Sequence, residues 1–307
     1  MKNQLLRIEN LSYPELDALD RSKTLFILSI SPLEEHGPHM PLGVDLFISK
    51  YMSEQLQERI LAKHPEFTIV LFPPLFLGVG AIPWLGSFNS KQRVIRSVIE
   101  DWAAVLGKYG FKYFLLSNGH GGPRHVVALE EAARSASKKH NMTVVSLSGR
   151  IAYEFLTGKY LKEIETELGR PFTVIEKRKF FKDSHAGWWE TSVMLMLFPD
   201  LVNKNFAQLP DFTISWRDRL FKKKKDADQG YRGFPAMAST DFASATVKVL
   251  LDKSMELIGD MLYGHDLGNR LHSPLYNIWF LRTNFFRYGV TFTIFLFLCV
   301  LYFITDM

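Results

Sequence analysis

A short run near the N-terminus combines carboxylates and an imidazole at a spacing suited to metal binding. Glu34 and His36 are two residues apart, so they project to the same side of an extended segment. Asp45 follows a Gly- and Pro-rich stretch that can fold back on itself. Glu, His and Asp side chains that converge on one point form a site for Zn²⁺, Mn²⁺ or Fe²⁺. The residues alone leave one alternative open, a proline-rich loop with a solvated Glu-Glu pair.

A second candidate follows a predicted buried strand. The apolar run 111–116 is typical of such a strand, and His120 lies in the glycine-rich turn after it, beside Gly121 and Gly122. Open α/β sheets keep their sites at the carboxyl ends of their strands. A lone histidine is more often structural than catalytic, so His120 becomes a strong candidate only in combination with the first run.

The third candidate is the pair His185 and Glu190, in a segment that also contains two adjacent tryptophans. Residues five apart are separated by about 140° around a helix, so the two cannot share one helical face. We therefore expect His185 in the loop that enters a helix and Glu190 in the first turns of that helix.

With these three motifs in this order, the chain resembles the creatininase family of metal hydrolases. The resemblance rests on the runs 34–39 with Asp45, 118–122, and 185–192, and it covers roughly residues 20–262. Two weaker matches are a late Gly/Pro/Ala loop at 230–238 and a possible pocket loop at 84–88.

The resemblance implies a two-metal hydrolase that cleaves C–N bonds of amides, often cyclic amides or formamides, with Zn, Mn or Fe as cofactors. It implies metal-activated water as the nucleophile and a small-molecule amide as the substrate. It also implies a bridging role for Asp45 within a set of metal ligands, which is Glu34, His36, Asp45, His120 and Glu190.

The same resemblance implies further roles around the metals. His185 matches the position proposed for proton transfer, and Glu190 matches a position that acts as a ligand or as a catalytic carboxylate. Four residues are expected to contact the substrate: Trp84, Gly121, Gly122 and Trp188.

One departure from the family pattern bears on the substrate. Creatinine-cleaving members place a carboxylate two residues after the motif histidine, where this chain has Gly122, and the usual Asn is replaced by Pro123. One ligand of the second metal is therefore missing or supplied by Glu190. Besides an amidohydrolase, we consider a maturation peptidase or deformylase of the same fold, and a catalytically silent binding protein.

Strand-like and helix-like segments alternate along the chain, which predicts a three-layer α/β/α fold with a mostly parallel sheet. The predicted strands are 24–30, 68–72, 111–116 and 143–147. The predicted helices are 47–61, 91–109, 123–140, 151–168 and one that ends near 262, capped by Thr240 or Asp241.

The amino-acid composition bears on the size of the core, on disulfides and on the classes of binding partner. Of the 307 residues 47% are hydrophobic, which suffices for a sizeable core, and the one cysteine, Cys299, excludes an intramolecular disulfide. The basic run 222–225 is interpreted as a solvated loop in preference to a lipid contact. A net charge of +5 without a recognition fold argues against nucleic acid as a partner.

The C-terminal segment predicts a membrane anchor. Residues 287–305 are almost all apolar, which favours one transmembrane helix after a hydrolase domain at 1–263 and a linker at 264–286. Arg282 and Arg287 lie on its N-terminal side, so the positive-inside rule places the hydrolase domain in the cytoplasm. Family resemblance alone implies a homo-oligomer.

Overall fold

A parallel sheet forms the centre of the computed structural model, which describes residues 5–214 and 229–305. The strand order is β1-β3-β2-β5-β6, with β4 paired to the end of β2, and every pairing is parallel. The strands are β1 Leu5–Arg7, β2 Thr24–Ser31, β3 Thr68–Leu71, β4 Leu75–Phe76, β5 Tyr113–Ser117 and β6 Thr143–Ser146.

Helices cover both faces of the sheet. They are α1 Tyr13–Asp17, α2 Val44–Lys63, α3 Gln92–Lys108, α4 Pro123–His140, α5 Ser148–Leu156, α6 Leu161–Leu168, α7 Val174–Phe180, α8 Trp188–Leu197, α9 Thr240–Leu262 and α10 Phe285–Thr305. Short 3₁₀ turns join several of them, at 8–10, 199–201, 204–208, 235–237, 268–271, 274–277 and 279–281.

The central strand β2 shows why the fold has three layers. Its eight residues are all buried, and alternate side chains enter two separate cores. Leu25 and Ile27 pack with α2 and α9, whereas Phe26 and Leu28 pack with α3 and α4. A strand buried on both faces reads as a nearly continuous apolar run, which is the pattern that predicted a buried strand here. The predicted α/β/α architecture is confirmed.

Two predicted boundaries differ from the structure. The predicted helix 151–168 is divided into α5 and α6, because Gly158 adopts a left-handed φ of 78° that a continuous helix does not allow. The cap of α9 is Ser239, whose hydroxyl accepts a hydrogen bond from the Phe242 amide, so neither Thr240 nor Asp241 is the cap.

The segment 264–284, called here the C-terminal strap, packs along α4. The Glu130 carboxylate accepts hydrogen bonds from the Ser273 amide at 2.5 Å and from its hydroxyl at 3.2 Å. The next carboxylate, Glu131, accepts from the Thr283 amide at 2.9 Å. The predicted linker is therefore fastened to α4 by two successive acidic side chains.

Replacing Glu130 by glutamine should remove part of the pH dependence of stability. Burial raises the pKa of Glu130 from 4.5 to about 7, against the opposing hydrogen bonds from Ser273. The folded chain thus keeps a proton that the unfolded chain releases, so stability falls as pH rises through this range. At 1.36 kcal/mol per pKa unit the loss is about 3 kcal/mol. Denaturant unfolding of wild type and Glu130→Gln at pH 5 and 7.5 measures it, and an identical pH response in both proteins would contradict it.

Among the residues that the structure describes, no helix is both long enough and apolar enough to cross a membrane. The predicted single-pass anchor, and with it the predicted membrane localisation and orientation, is therefore wrong. The segment is helical as α10.

Two further predictions are left open by the structure. The basic run 222–225 lies outside the described residues, and the homo-oligomer stays a prediction.

Candidate metal centre

The loop after β2 folds back as its Gly/Pro content indicates. The Glu34 amide donates to the carbonyl of Leu42 at 3.0 Å, and Gly37 supplies a left-handed φ of 69°. This brings Asp45, in the first turn of α2, next to the loop. Gly119 then allows the turn after β5 to approach, because a Cβ there would lie 2.2 Å from the Asp45 carbonyl oxygen.

Glu34, Asp45 and His120 form the first ligand group. The His120 Nδ1 atom lies 3.0 Å from Glu34 Oε2 and 3.2 Å from Asp45 Oδ2. All three side chains are buried, and the Ile82 amide holds the other Glu34 oxygen at 2.6 Å. One nitrogen and two carboxylates facing one point form a donor set that divalent transition metals accept.

His36, His185 and Glu190 form the second ligand group. The His36 Nε2 atom lies 3.7 Å from Glu190 Oε2, and the rings of His36 and His185 are 4.3 Å apart. As the sequence predicts, His185 precedes α8 and Glu190 lies in its first turn. Sequence reasoning did not expect His185 among the potential ligands.

Asp45 lies between the two groups. Its Oδ2 atom faces His120 at 3.2 Å, while its Oδ1 atom faces His36 Nε2 at 3.4 Å. If each group held an ion, one oxygen of Asp45 would be available to each of them.

Unsatisfied polar atoms show that the site fits metal ions. Within the described part of the chain, several buried ligand atoms have no hydrogen-bond partner. Such atoms would be costly in a core unless a cation or another polar group satisfied them. They are Glu34 Oε2, His36 Nε2 and both Asp45 carboxylate oxygens.

Charges in the site are strongly coupled. Burial alone would lower the pKa of His36 and of His120, but the Asp45 carboxylate raises each pKa to about 10. Burial would likewise raise the pKa of Asp45, yet the two imidazoles hold it well below its usual range. Divalent cations would displace protons from these imidazoles, so metal binding is expected to release protons.

Burial shifts the pKa values of two side chains in the second group toward their neutral forms. Burial, with the charge of Asp45 in addition, raises the pKa of Glu190 to about 8, although His36 opposes this. Burial and the neighbouring His36 lower the pKa of His185 to about 4. The His185 Nε2 atom is hydrogen-bonded to the Glu35 carbonyl at 2.7 Å, which makes Nε2 the donor and leaves Nδ1 toward Glu34 Oε1, 3.8 Å away.

Two side chains without an assigned role in the sequence analysis position the second group. Asp183 accepts hydrogen bonds from the amides of Trp188, Trp189 and Phe234, at 2.8 to 3.1 Å, and so fixes the start of α8. His39 contacts Thr191, the residue after Glu190, through Nε2 at 3.0 Å. His39 lies within the run 34–39 and Asp183 lies just before the run 185–192, but only the folded backbone shows what they hold.

A cavity of about 1070 Å³ opens beside the two groups. Gly121 and Gly122 line it, as does Trp189. Trp188 instead stacks on Phe242 in the core, with ring centroids 4.1 Å apart. Among the described cavity-lining residues neither Trp84 nor Trp188 is found, so Trp189 is the tryptophan that faces the predicted substrate space.

Replacing Gly122 by alanine should displace a metal ligand. A Cβ at Gly122 would lie 2.2 Å from His120 Nε2, a distance that no Cβ tolerates. We expect a 10- to 100-fold loss of metal affinity, about the effect of disturbing a ligand's supporting contacts. Titration of metal-stripped protein with Zn²⁺ measures it.

The neighbouring Gly121 provides the matched control. A Cβ there meets nothing within 4 Å, so Gly121→Ala should bind metal like the wild type. Equal affinities of the two alanine variants would contradict the placement of His120.

Comparison with known proteins agrees with this geometry. The sequence model of the creatininase family, described as creatinine amidohydrolase, matches residues 9–258. A creatinine amidohydrolase of Pseudomonas putida is 24% identical over 192 residues, which span 58% of this chain and 66% of that relative, just under two thirds of its length.

Solved structures show the same fold. A structure named Creatininase Mn has a TM-score of 0.65 at 20% identity, covering 84% of this chain and 99% of its own. A Zn-Zn form of a creatininase mutant has a TM-score of 0.63 at 20% identity, covering 85% and 99%. The names of these structures refer to manganese and to a zinc pair, which, together with the two ligand groups, agrees with the prediction of two divalent ions.

Proposed function

Because this chain belongs to the creatininase family of metal-dependent amidohydrolases, we propose that it hydrolyses the C–N bond of a cyclic amide or formamide. The observation that carries the proposal is the position of Asp45, with one carboxylate oxygen toward each of two ligand groups. A catalytically silent binding protein would not need six converging polar side chains. Burying these side chains without cations would cost the protein stability.

Two sets of residues would hold the ions. Glu34, Asp45 and His120 would hold one. His36 and Glu190 of the second group, with the Asp45 oxygen that faces His36, would hold the other. When bound, two divalent cations polarise an amide carbonyl and lower the pKa of a bound water molecule to near neutral.

His185 is proposed to move the proton. Its Nε2 is fixed to the Glu35 carbonyl, so Nδ1 is the atom that takes up a proton and delivers it to the departing nitrogen. Burial and the charge of His36 lower the pKa of His185 to about 4, which favours the neutral imidazole that can accept a proton.

Gly122 argues against creatinine as the substrate. The close approach of its backbone to His120 leaves no room for a side chain, so Glu190 is proposed to supply the carboxylate that creatinine-cleaving members carry there. A cavity of about 1070 Å³ favours a second candidate within the same chemistry, cleavage of a modified peptide.

The proposal is tested by amide hydrolysis with and without metal. Protein stripped with chelator should release neither formate from N-methylformamide nor ring-opened product from cyclic amides, and Mn²⁺ or Zn²⁺ should restore release. Turnover that is equal in the stripped and the reloaded protein would overturn the proposal.

A further inference from the structure

We propose that the cavity beside the metal centre binds a bulky, uncharged apolar substituent of the substrate amide. This inference rests on the proposed function for the reaction and adds the class of molecule on which it acts. It concerns the side of the cavity away from the metal ligands.

The cavity follows one face of α2 away from the metal centre. Asp45 begins this helix, and Ile48, Met52 and Leu56 line the cavity at intervals of four residues. Residues four apart lie above one another on one helical face, so the lining extends about 16 Å along the axis from Asp45. The cavity therefore leads from the ligands into the layer of helices.

Two other helices present matching faces to the same space. On α5 the cavity is lined at helical spacing by Ile151, Ala152 and Phe155. On α9 it is lined by Phe242 and Leu250, which are eight residues apart. Contributions from three helices at regular spacing indicate a continuous channel between the layers.

The size of this space indicates a ligand larger than a simple ring amide. Pockets of about 300–1,000 Å³ hold drug-sized molecules, and this cavity measures about 1070 Å³. Protein interiors are close-packed, and destabilisation grows with cavity volume. A volume of this size next to six potential ligands is therefore interpreted as substrate space.

The chemistry of the lining selects an apolar group. Along α2, α5 and α9 the polar residues that line the cavity are Ser148 and Ser254, whereas the charged lining residues, such as Lys182 and Arg232, belong to other segments. A charged tail among the three helices would lose its hydration without an opposite charge to pair with. The rings of Phe155 and Trp189, 5.5 Å apart, offer a surface suited to an aromatic ring.

The first test compares substituents of the same amide. Formate release from metal-loaded protein is measured with N-methylformamide, N-(3-phenylpropyl)formamide and N-(5-carboxypentyl)formamide. We expect kcat/KM to be at least 30-fold higher for the phenylpropyl compound than for the other two. Equal values for all three would overturn the inference while leaving the proposed function intact.

The second test fills the channel. Ala152→Phe adds a ring at a half-buried lining position, and Ala104→Phe adds the same ring at a half-buried position on α3 outside the lining. Binding of 4-phenylbutyramide, measured by calorimetry, should weaken at least tenfold in Ala152→Phe and stay unchanged in Ala104→Phe. Metal content should be equal in both variants.

The binding test separates the two proposals. If no amide is cleaved but Ala152→Phe still loses the probe, the proposed function fails and the apolar site stands. If wild-type protein does not bind 4-phenylbutyramide, or if Ala152→Phe binds it like wild type, the apolar site is refuted.

Discussion

Replacing Asp45 by asparagine is expected to abolish hydrolysis and to remove both ions from the site. The substitution keeps the shape but removes the charge that lies 3.2 Å from His120 and 3.4 Å from His36. Both ligand groups then lose their shared anion, so kcat/KM should fall at least about 1,000-fold, or about 4 kcal/mol. Amide hydrolysis and elemental analysis of the same preparation measure the two effects.

Asp241 supplies the matched control for this substitution. It also lies in the first turn of a helix, but it is exposed and belongs to neither ligand group. Asp241→Asn should keep full activity and metal content. Retention of two ions per chain in Asp45→Asn would contradict the bridging assignment.

Replacing Glu190 by glutamine is expected to remove one ion and leave the other. Glu190 belongs to the group of His36 and His185, whereas Glu34, Asp45 and His120 keep their own contacts. The metal content should fall from two ions to one, and kcat/KM should fall about 100-fold because the remaining ion acts alone.

Glu256, which is exposed on α9 and belongs to neither ligand group, supplies the control. Glu256→Gln removes the same charge and should leave the metal content unchanged. Two ions and near-normal activity in Glu190→Gln would mean that Glu190 does not replace the carboxylate missing at position 122.

The sequence was informative about the layers of the fold because burial on both faces leaves a clear pattern. The apolar run of β2 and the helix 123–140 were predicted nearly to the residue. The short strands β1 and β4 were missed, since three and two residues carry too little periodicity to distinguish them from a loop. The break at Gly158 depends on a single left-handed residue.

The residues of the site were easier to predict than their grouping. The residue types and their positions after strand ends indicated which side chains belong to the site. Which side chains lie next to each other depends on the loop before α8. There Ala186 adopts a left-handed φ of 49°, and Asp183 fixes the amides that follow. Successive residues of a helix point about 100° apart, so a sequence motif alone does not distinguish Trp188, in the core, from Trp189, at the cavity.

The central claim is that two adjacent ions share Asp45, and metal content per chain tests it most directly. Protein purified without chelator and reconstituted with Mn²⁺ or Zn²⁺ is analysed for bound metal by elemental analysis. The account predicts two ions per chain in the wild type. One ion or none at saturating metal would contradict it.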